Sequence, residues 1–129
     1  VYSLADADCA ALVVDDNFGS ASMMAEVLKR AGHQVRVAVG GNEAIRAAAA
    51  QAPDVILMDI NLPDLGGFEA AKRIKTLMPL VRVIGISGMQ IHPAEAEGDM
   101  LIFEERLQKP VRPEVLLAVL DHLIEPRPE

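Results

Sequence analysis

Two short apolar runs, each closed by a carboxylate, constrain this chain more than any other feature. Ala10-Ala11-Leu12-Val13-Val14 ends at Asp15-Asp16, and Val55-Ile56-Leu57-Met58 ends at Asp59. Unbroken apolarity over so few residues suits strands buried in the middle of a parallel sheet, here β1 (10–14) and β3 (55–58). Val81 to Ile86, apolar but for Arg82, follows as a further strand, β4 (81–86), ending at Ser87. Val35, Val37 and Val39 alternate with Gln34, Arg36 and Ala38, the period of a strand with one less-buried side, so β2 (34–39) is expected at a sheet edge. Arg106-Leu107-Gln108 is a brief β5.

Helical stripes fill the intervals. Met23, Met24, Val27, Leu28 and Ala31 recur at helical spacing from Ser20 until Gly32, predicting α1 (20–31) with both methionines as core filler. His33, just past that glycine, is expected on the surface. Ala44, Ile45, Ala48, Ala49 and Ala52 trace α2 (42–52), with Asn42 as capping candidate and Pro53 as stop. Phe68, Ala71, Ile74 and Met78 give α3 (68–78) before Pro79. Pro93 and Gly98 interrupt the stretch 88–105, where only a short or distorted α4 is expected. A clean final stripe, Val115, Leu116, Val119, Leu120 and Leu123, gives α5 (113–124), opened by Pro113 as a first-turn proline should.

Strands alternating with helices over short connections pair in parallel through right-handed crossovers. The expectation is therefore a doubly wound α/β sheet, one domain over residues 1–129 with a core of about 8–124 and terminal segments 1–7 and 125–129. A length of 129 residues can bury a real core, and 51% hydrophobic against 24% charged residues excludes a disordered chain. The net charge of −7 argues against unaided binding to nucleic acid. Cys9, the single cysteine, leaves no internal disulfide or cysteine-rich zinc site. No apolar run reaches the roughly 18 residues of a membrane span and no signal-peptide pattern opens the chain, so a soluble cytoplasmic protein is expected. The start at Val1 reads as a domain cut from a longer polypeptide.

Ligands of such sheets gather outside the carboxyl ends of the strands. Those ends carry Asp15 and Asp16, Asp59, Ser87, and Lys109 after β5. Taken singly, Asp15 and Asp16 suit loop or cap positions, Asp59 a structural carboxylate paired with Lys109, Ser87 a turn and Lys109 a solvated surface. Under a strand order 2-1-3-4-5 they converge on one crevice, where one lysine cannot neutralise three carboxylates. Oxygen-only donors favour a hard cation, hence Mg²⁺. A carboxylate beside Mg²⁺ can attack phosphorus, so the rim reads as a phosphoryl acceptor.

Leu12-Val13-Val14-Asp15-Asp16-Asn17, Leu57-Met58-Asp59-Ile60-Asn61-Leu62-Pro63-Asp64 with Gly67, Ser87-Gly88 and Lys109-Pro110 together closely resemble the receiver domain of two-component response regulators, over nearly the whole chain. Gly32-His33-Gln34-Val35 and Asp16-Asn17 are somewhat similar to the receivers of hybrid histidine kinases. The resemblance implies a flavodoxin-like (βα)5 fold, and the order 2-1-3-4-5 comes with it rather than from strand spacing. It implies Asp59 as phosphoacceptor, Asp16 as a direct Mg²⁺ ligand and Asp15 as a ligand through water. It further implies Asn61 as a backbone-carbonyl ligand, Lys109 as the phosphoryl contact, Ser87 as the switch hydroxyl, a cis Lys109-Pro110 bond, and Asn61 and Met89 as positions tuning phosphate lifetime.

The implied partner is a histidine kinase or histidine phosphotransfer protein, with an output domain possible outside this chain and neither nucleic acid nor membrane contacted directly. Such a domain catalyses its own phosphotransfer and autodephosphorylation rather than acting as a conventional enzyme. Two positions depart from the family pattern: Arg106 stands where a switch aromatic is usual, and Ile102-Phe103 replaces a small Gly-Ala pair. These departures put the readout through the α4-β5-α5 face in question and leave a second reading, a pseudo-receiver that docks partners regardless of phosphorylation. A third reading, an aspartyl-phosphate hydrolase of the haloacid dehalogenase type, expects a second acid where this chain has Asn61.

Overall fold

A computed structural model describes residues 9–88 and 102–124. The elements run β1 (Ala10–Val14), α1 (Phe18–Arg30), β2 (Gln34–Ala38), α2 (Gly41–Ala50), β3 (Val55–Asp59), α3 (Gly67–Leu77), β4 (Arg82–Ser87), β5 (Glu105–Gln108) and α5 (Pro113–Ile124). The five strands form one sheet in the order β2-β1-β3-β4-β5, and all four pairings are parallel. The expected doubly wound flavodoxin-like order is therefore observed, with β2 at an edge. Most of the segment assigned to α4, Met89 included, lies outside the described residues.

Alternation along the strands sorts the core into two layers. Leu12, Val14, Ile56, Met58 and Val83 face Ala44 and Ala48 of α2 and Ala70, Ala71 and Ile74 of α3. Ala11, Val13, Val55, Leu57, Ile84 and Ile86 face Ala21, Met24 and Leu28 of α1 and Leu116 and Leu120 of α5. Small alanines dominate the first layer, so α2 and α3 can lie close to the sheet and to each other. Each fully buried Leu, Ile or Met side chain stabilises the fold by roughly 1.5–3 kcal/mol relative to exposure. The sheet centre is thereby a rigid base for whatever its carboxyl rim carries.

Several local expectations need correction. α1 starts at Phe18, two residues before Ser20, because Asn17 is its N-cap and its side-chain oxygen accepts from the Ser20 amide at 2.9 Å. Its buried stripe is Ala21, Met24, Ala25 and Leu28, which turns Met23 out to solvent at 47% exposure. His33 is buried: after the Gly32 turn the chain passes directly under the last turn of α1, and the His33 amide donates to the Leu28 carbonyl. Asn42 is not the N-cap of α2. Gly40 holds that place with no side chain to contribute, and Asn42 lies inside the first turn.

Candidate functional site

The reversal of strand order falls between β1 and β3, and both strands deliver acids there. Asp59 is the last residue of β3, whose five residues are all buried. Asp15 follows β1 directly and its amide donates to the Ala38 carbonyl of β2 at 3.1 Å, which continues the ladder one residue past the strand and carries the side chain inward. Asp15 is fully buried, Asp59 is 5% exposed, and Asp16 faces solvent. One carboxylate oxygen from each of the three lies within 4.8 Å of the others.

Lys109 reaches the same point from beyond β5. Its Nζ stands 3.0 Å from Asp15 Oδ2 and 3.4 Å from Asp59 Oδ2. The lysine is placed by its backbone amide, which donates to the Ser87 carbonyl at 2.8 Å, and the Lys109-Pro110 bond that follows is cis, as expected. Ser87, buried, is the last residue of β4 and pairs in register with Gln108. Asn61 turns its side chain to solvent while its amide donates to Asp59 Oδ1 at 2.9 Å. Arg106, half-buried on β5, stands in register with Gly85.

The electrostatics of the rim are unbalanced. Burial pushes the Asp59 carboxyl above its ordinary range, the Asn61 amide and the Lys109 charge oppose that, and the charge of Asp15 reinforces it. For Lys109, burial disfavours the ammonium, but contact with Asp15 and the charges of Asp59 and Asp15 outweigh burial and raise its pKa. Lys109 thus faces two buried carboxylates, with Asp16 a third acid beside them. Asp15 Oδ1 accepts from the Asn17 amide at 2.9 Å, and Oδ2, buried, faces Lys109 Nζ at 3.0 Å. One ammonium shared by two buried carboxylates leaves negative charge uncompensated, and a cation bound between the three acids would balance it. The donor set, all oxygen, fits a hard divalent ion.

Two contributors to the rim escaped the sequence. Gly67 starts α3 so close to the end of β3 that a Cβ there would stand 2.1 Å from the Asp59 carbonyl oxygen and 2.7 Å from Ile60 Cα. Asp64, which reads as a plain loop acid, accepts from the amides of Gly41 at 3.0 Å and Asn42 at 3.1 Å, across from its own loop. Those amides and that of Leu65 hold its carboxyl down to about 2. A helix start lacking its own capping side chain, as at Gly40-Gly41, is the signal that could have pointed to it.

Residues 11–121 match the family model of the response regulator receiver domain. The autoinducer 1 sensor kinase/phosphatase LuxN of Vibrio campbellii is 33% identical over 111 residues, covering 84% of this chain and 13% of that protein. This chain therefore spans about an eighth of the length of that relative. PilH of Pseudomonas aeruginosa is 30% identical over 115 residues, covering 88% of this chain and 95% of PilH. Among solved structures, chemotaxis protein CheY4 of Vibrio cholerae superposes with a TM-score of 0.85 at 28% identity, covering 91% of this chain and 99% of that one.

Proposed function

Because this chain belongs to the response regulator receiver family of two-component systems, we propose that it takes a phosphoryl group from a phosphohistidine onto Asp59 in a Mg²⁺-dependent step. A carboxylate oxygen of Asp59 forms a bond to phosphorus, the phosphorus–nitrogen bond of the donor breaks, and the electron pair returns to the imidazole nitrogen, which takes a proton from solvent. Water later attacks the same phosphorus, the bond from phosphorus to the Asp59 oxygen breaks, and inorganic phosphate leaves with the carboxylate restored. Lys109, already directed at Asp59 Oδ2, is placed to pair with the incoming phosphoryl oxygens. Asp15, Asp16 and Asp59 would hold the ion with the backbone carbonyl of Asn61, and Ser87 would answer the new charge as the switch hydroxyl. Bound Mg²⁺ would supply charge neutralisation for the carboxylates and the phosphoryl oxygens.

The observation that carries this reading is the gathering of three carboxylates at one point, two of them buried and sharing the single Lys109 ammonium. The donor would be a histidine kinase or histidine phosphotransfer protein, in keeping with sensor kinases among the relatives. The test is incubation with radiolabelled acetyl phosphate across a Mg²⁺ titration. Wild-type protein should label in an acid-stable, base-labile form that EDTA prevents, and Asp59→Asn should not label. Retained label in Asp59→Asn would sink the acceptor assignment. Arg106 at the switch position supports the pseudo-receiver as the second reading, for which beryllofluoride would leave partner affinity unchanged.

A further inference from the structure

We propose that Asp64 is a positioning residue for the acceptor loop, pinning the tip of the stretch 60–66 to the first turn of α2 and so setting how tightly the rim holds its divalent ion. The inference rests on the reading of Asp59 and Asn61 given above. That loop carries Asn61, whose amide donates to Asp59 and whose carbonyl is the proposed ligand. Its neck is closed by the Gly67 amide donating to the Ile60 carbonyl at 2.9 Å. A loop fixed at the neck alone can pivot about it, carrying Asn61 with it.

The second attachment lies at the far end. Asp64 Oδ1 accepts from the Gly41 amide at 3.0 Å, and Oδ2 accepts from the Asn42 amide at 3.1 Å and from Asn42 Nδ2 at 3.2 Å. The helix is built to receive it. Its N-cap, Gly40, offers no side-chain oxygen, and a Cβ on Gly40 would stand 3.0 Å from Asp64 Oδ2. A carboxylate there satisfies orphan amides and faces the positive end of the helix dipole. The cap that most helices take from their own sequence is here supplied by the loop that holds the reacting site. Second attachments of this kind fix ligand direction, and their loss typically weakens metal binding tenfold or more when they touch the ligand itself.

The test compares wild type, Asp64→Ala, Asp64→Asn and Asn42→Ala in two measurements: Mg²⁺ affinity by calorimetry, and the Mg²⁺ half-saturation of acetyl phosphate labelling. Asp64 acts one residue removed from the ligands, so Asp64→Ala should weaken both on the order of three- to tenfold, with the labelling rate at saturating Mg²⁺ little changed. Asp64→Asn, which keeps an acceptor oxygen, should recover part of the loss. Asn42→Ala, which removes one donor and leaves the helix backbone in place, should shift both the same way by less. Coupling is reciprocal, so Mg²⁺ with beryllofluoride should slow hydrogen exchange at the Gly41 and Asn42 amides. A lower unfolding midpoint in Asp64→Ala with Mg²⁺ affinity at the wild-type value would reduce Asp64 to a helix cap and overturn the inference. Failure of wild type to label, with Mg²⁺ affinity still falling in Asp64→Ala, would overturn the acceptor reading and leave the anchorage standing.

Discussion

Replacing Gly67 with alanine should damage this fold more than replacing Gly32, although Gly32 is the glycine with the unusual backbone. Gly32 has φ of +100°, in the left-handed region, and a Cβ there would meet no atom within 4 Å. Its cost is conformational only, about 1–2 kcal/mol. A Cβ on Gly67 would stand 2.1 Å from the Asp59 carbonyl oxygen, 2.7 Å from Ile60 Cα and 2.8 Å from the Asp59 carbonyl carbon. All three are backbone atoms at the end of a fully buried strand, so no side chain can rotate away. Relief requires α3 to retreat, which would break the bond from the Gly67 amide to Ile60 and shift the residue that carries the proposed acceptor carboxylate.

Overpacking of this kind costs about 1–3 kcal/mol, and a clash confined to backbone should reach or exceed the top of that range. Urea unfolding followed by far-ultraviolet circular dichroism reads the difference directly. With a denaturant slope of about 1–3 kcal/mol/M, Gly67→Ala should lower the midpoint by roughly 1 M or more and Gly32→Ala by about half that. Gly67→Ala should also label more slowly with acetyl phosphate, while Gly32→Ala labels normally. Equal midpoints for the two variants, or a larger loss at Gly32, would refute the steric reasoning.

Other perturbations separate the forces at the rim. Mg²⁺ at about 100 times its dissociation constant should stabilise wild type by about 2.7 kcal/mol, a melting shift of roughly 10 °C, and Asp59→Asn should show a smaller shift in the same scan. In EDTA the order reverses: Asp59→Asn should melt above wild type, because it removes one of three crowded carboxylates. For Asp64, whose folded pKa near 2 lies below the ordinary 3.8, the stabilisation is present above 3.8 and is lost as pH falls toward 2. Wild type should therefore unfold at higher urea than Asp64→Asn at pH 7, and the two midpoints should converge across that acid window. Phe103→Ala should cost about 3 kcal/mol by urea titration, the lower end for a buried phenylalanine, since Phe68 and Ile102 line the gap.

The middle of the sheet was legible because β1 and β3 are short apolar runs with nothing polar until their ends, and the rim acids were legible because a parallel sheet sends every such end the same way. Boundaries were harder where the deciding contact is not periodic. Phe18 and Gly19 fit no apolar stripe, and Phe18 is 78% exposed, so only the Asn17 cap marks the true start of α1. Met23 beside Met24 gives no hint of which one faces inward until the stripe is fixed by Ala21 and Leu28. Asp64 and Gly67 were invisible as site residues for a common reason. Each acts on a partner brought near by the fold, α2 for one and the end of β3 for the other, and Asp-Leu-Gly-Gly alone reads as a turn.

The two departures from the family pattern come together in a way that the positions taken singly do not suggest. Gly85 of β4 lacks a side chain on the layer facing α3, and the Phe103 ring fills that space, 3.1 Å from where a Cβ would stand. The ring meets Phe68 edge to face, with centroids 6.3 Å apart and planes at 68°, and is 5% exposed. Ile60 Cδ1 closes the same pocket, 3.2 Å from the same point. Aromatic bulk therefore enters ahead of β5 and packs on β4, while Arg106, on β5 itself, stands beside Gly85 in register. A ring held by buried contacts on three sides resists swinging outward, since exposing it forfeits its packing. Ile60 directly follows Asp59 and Phe68 directly follows Gly67, so the two ends of the acceptor loop and the residue that leads into β5 share one packed contact.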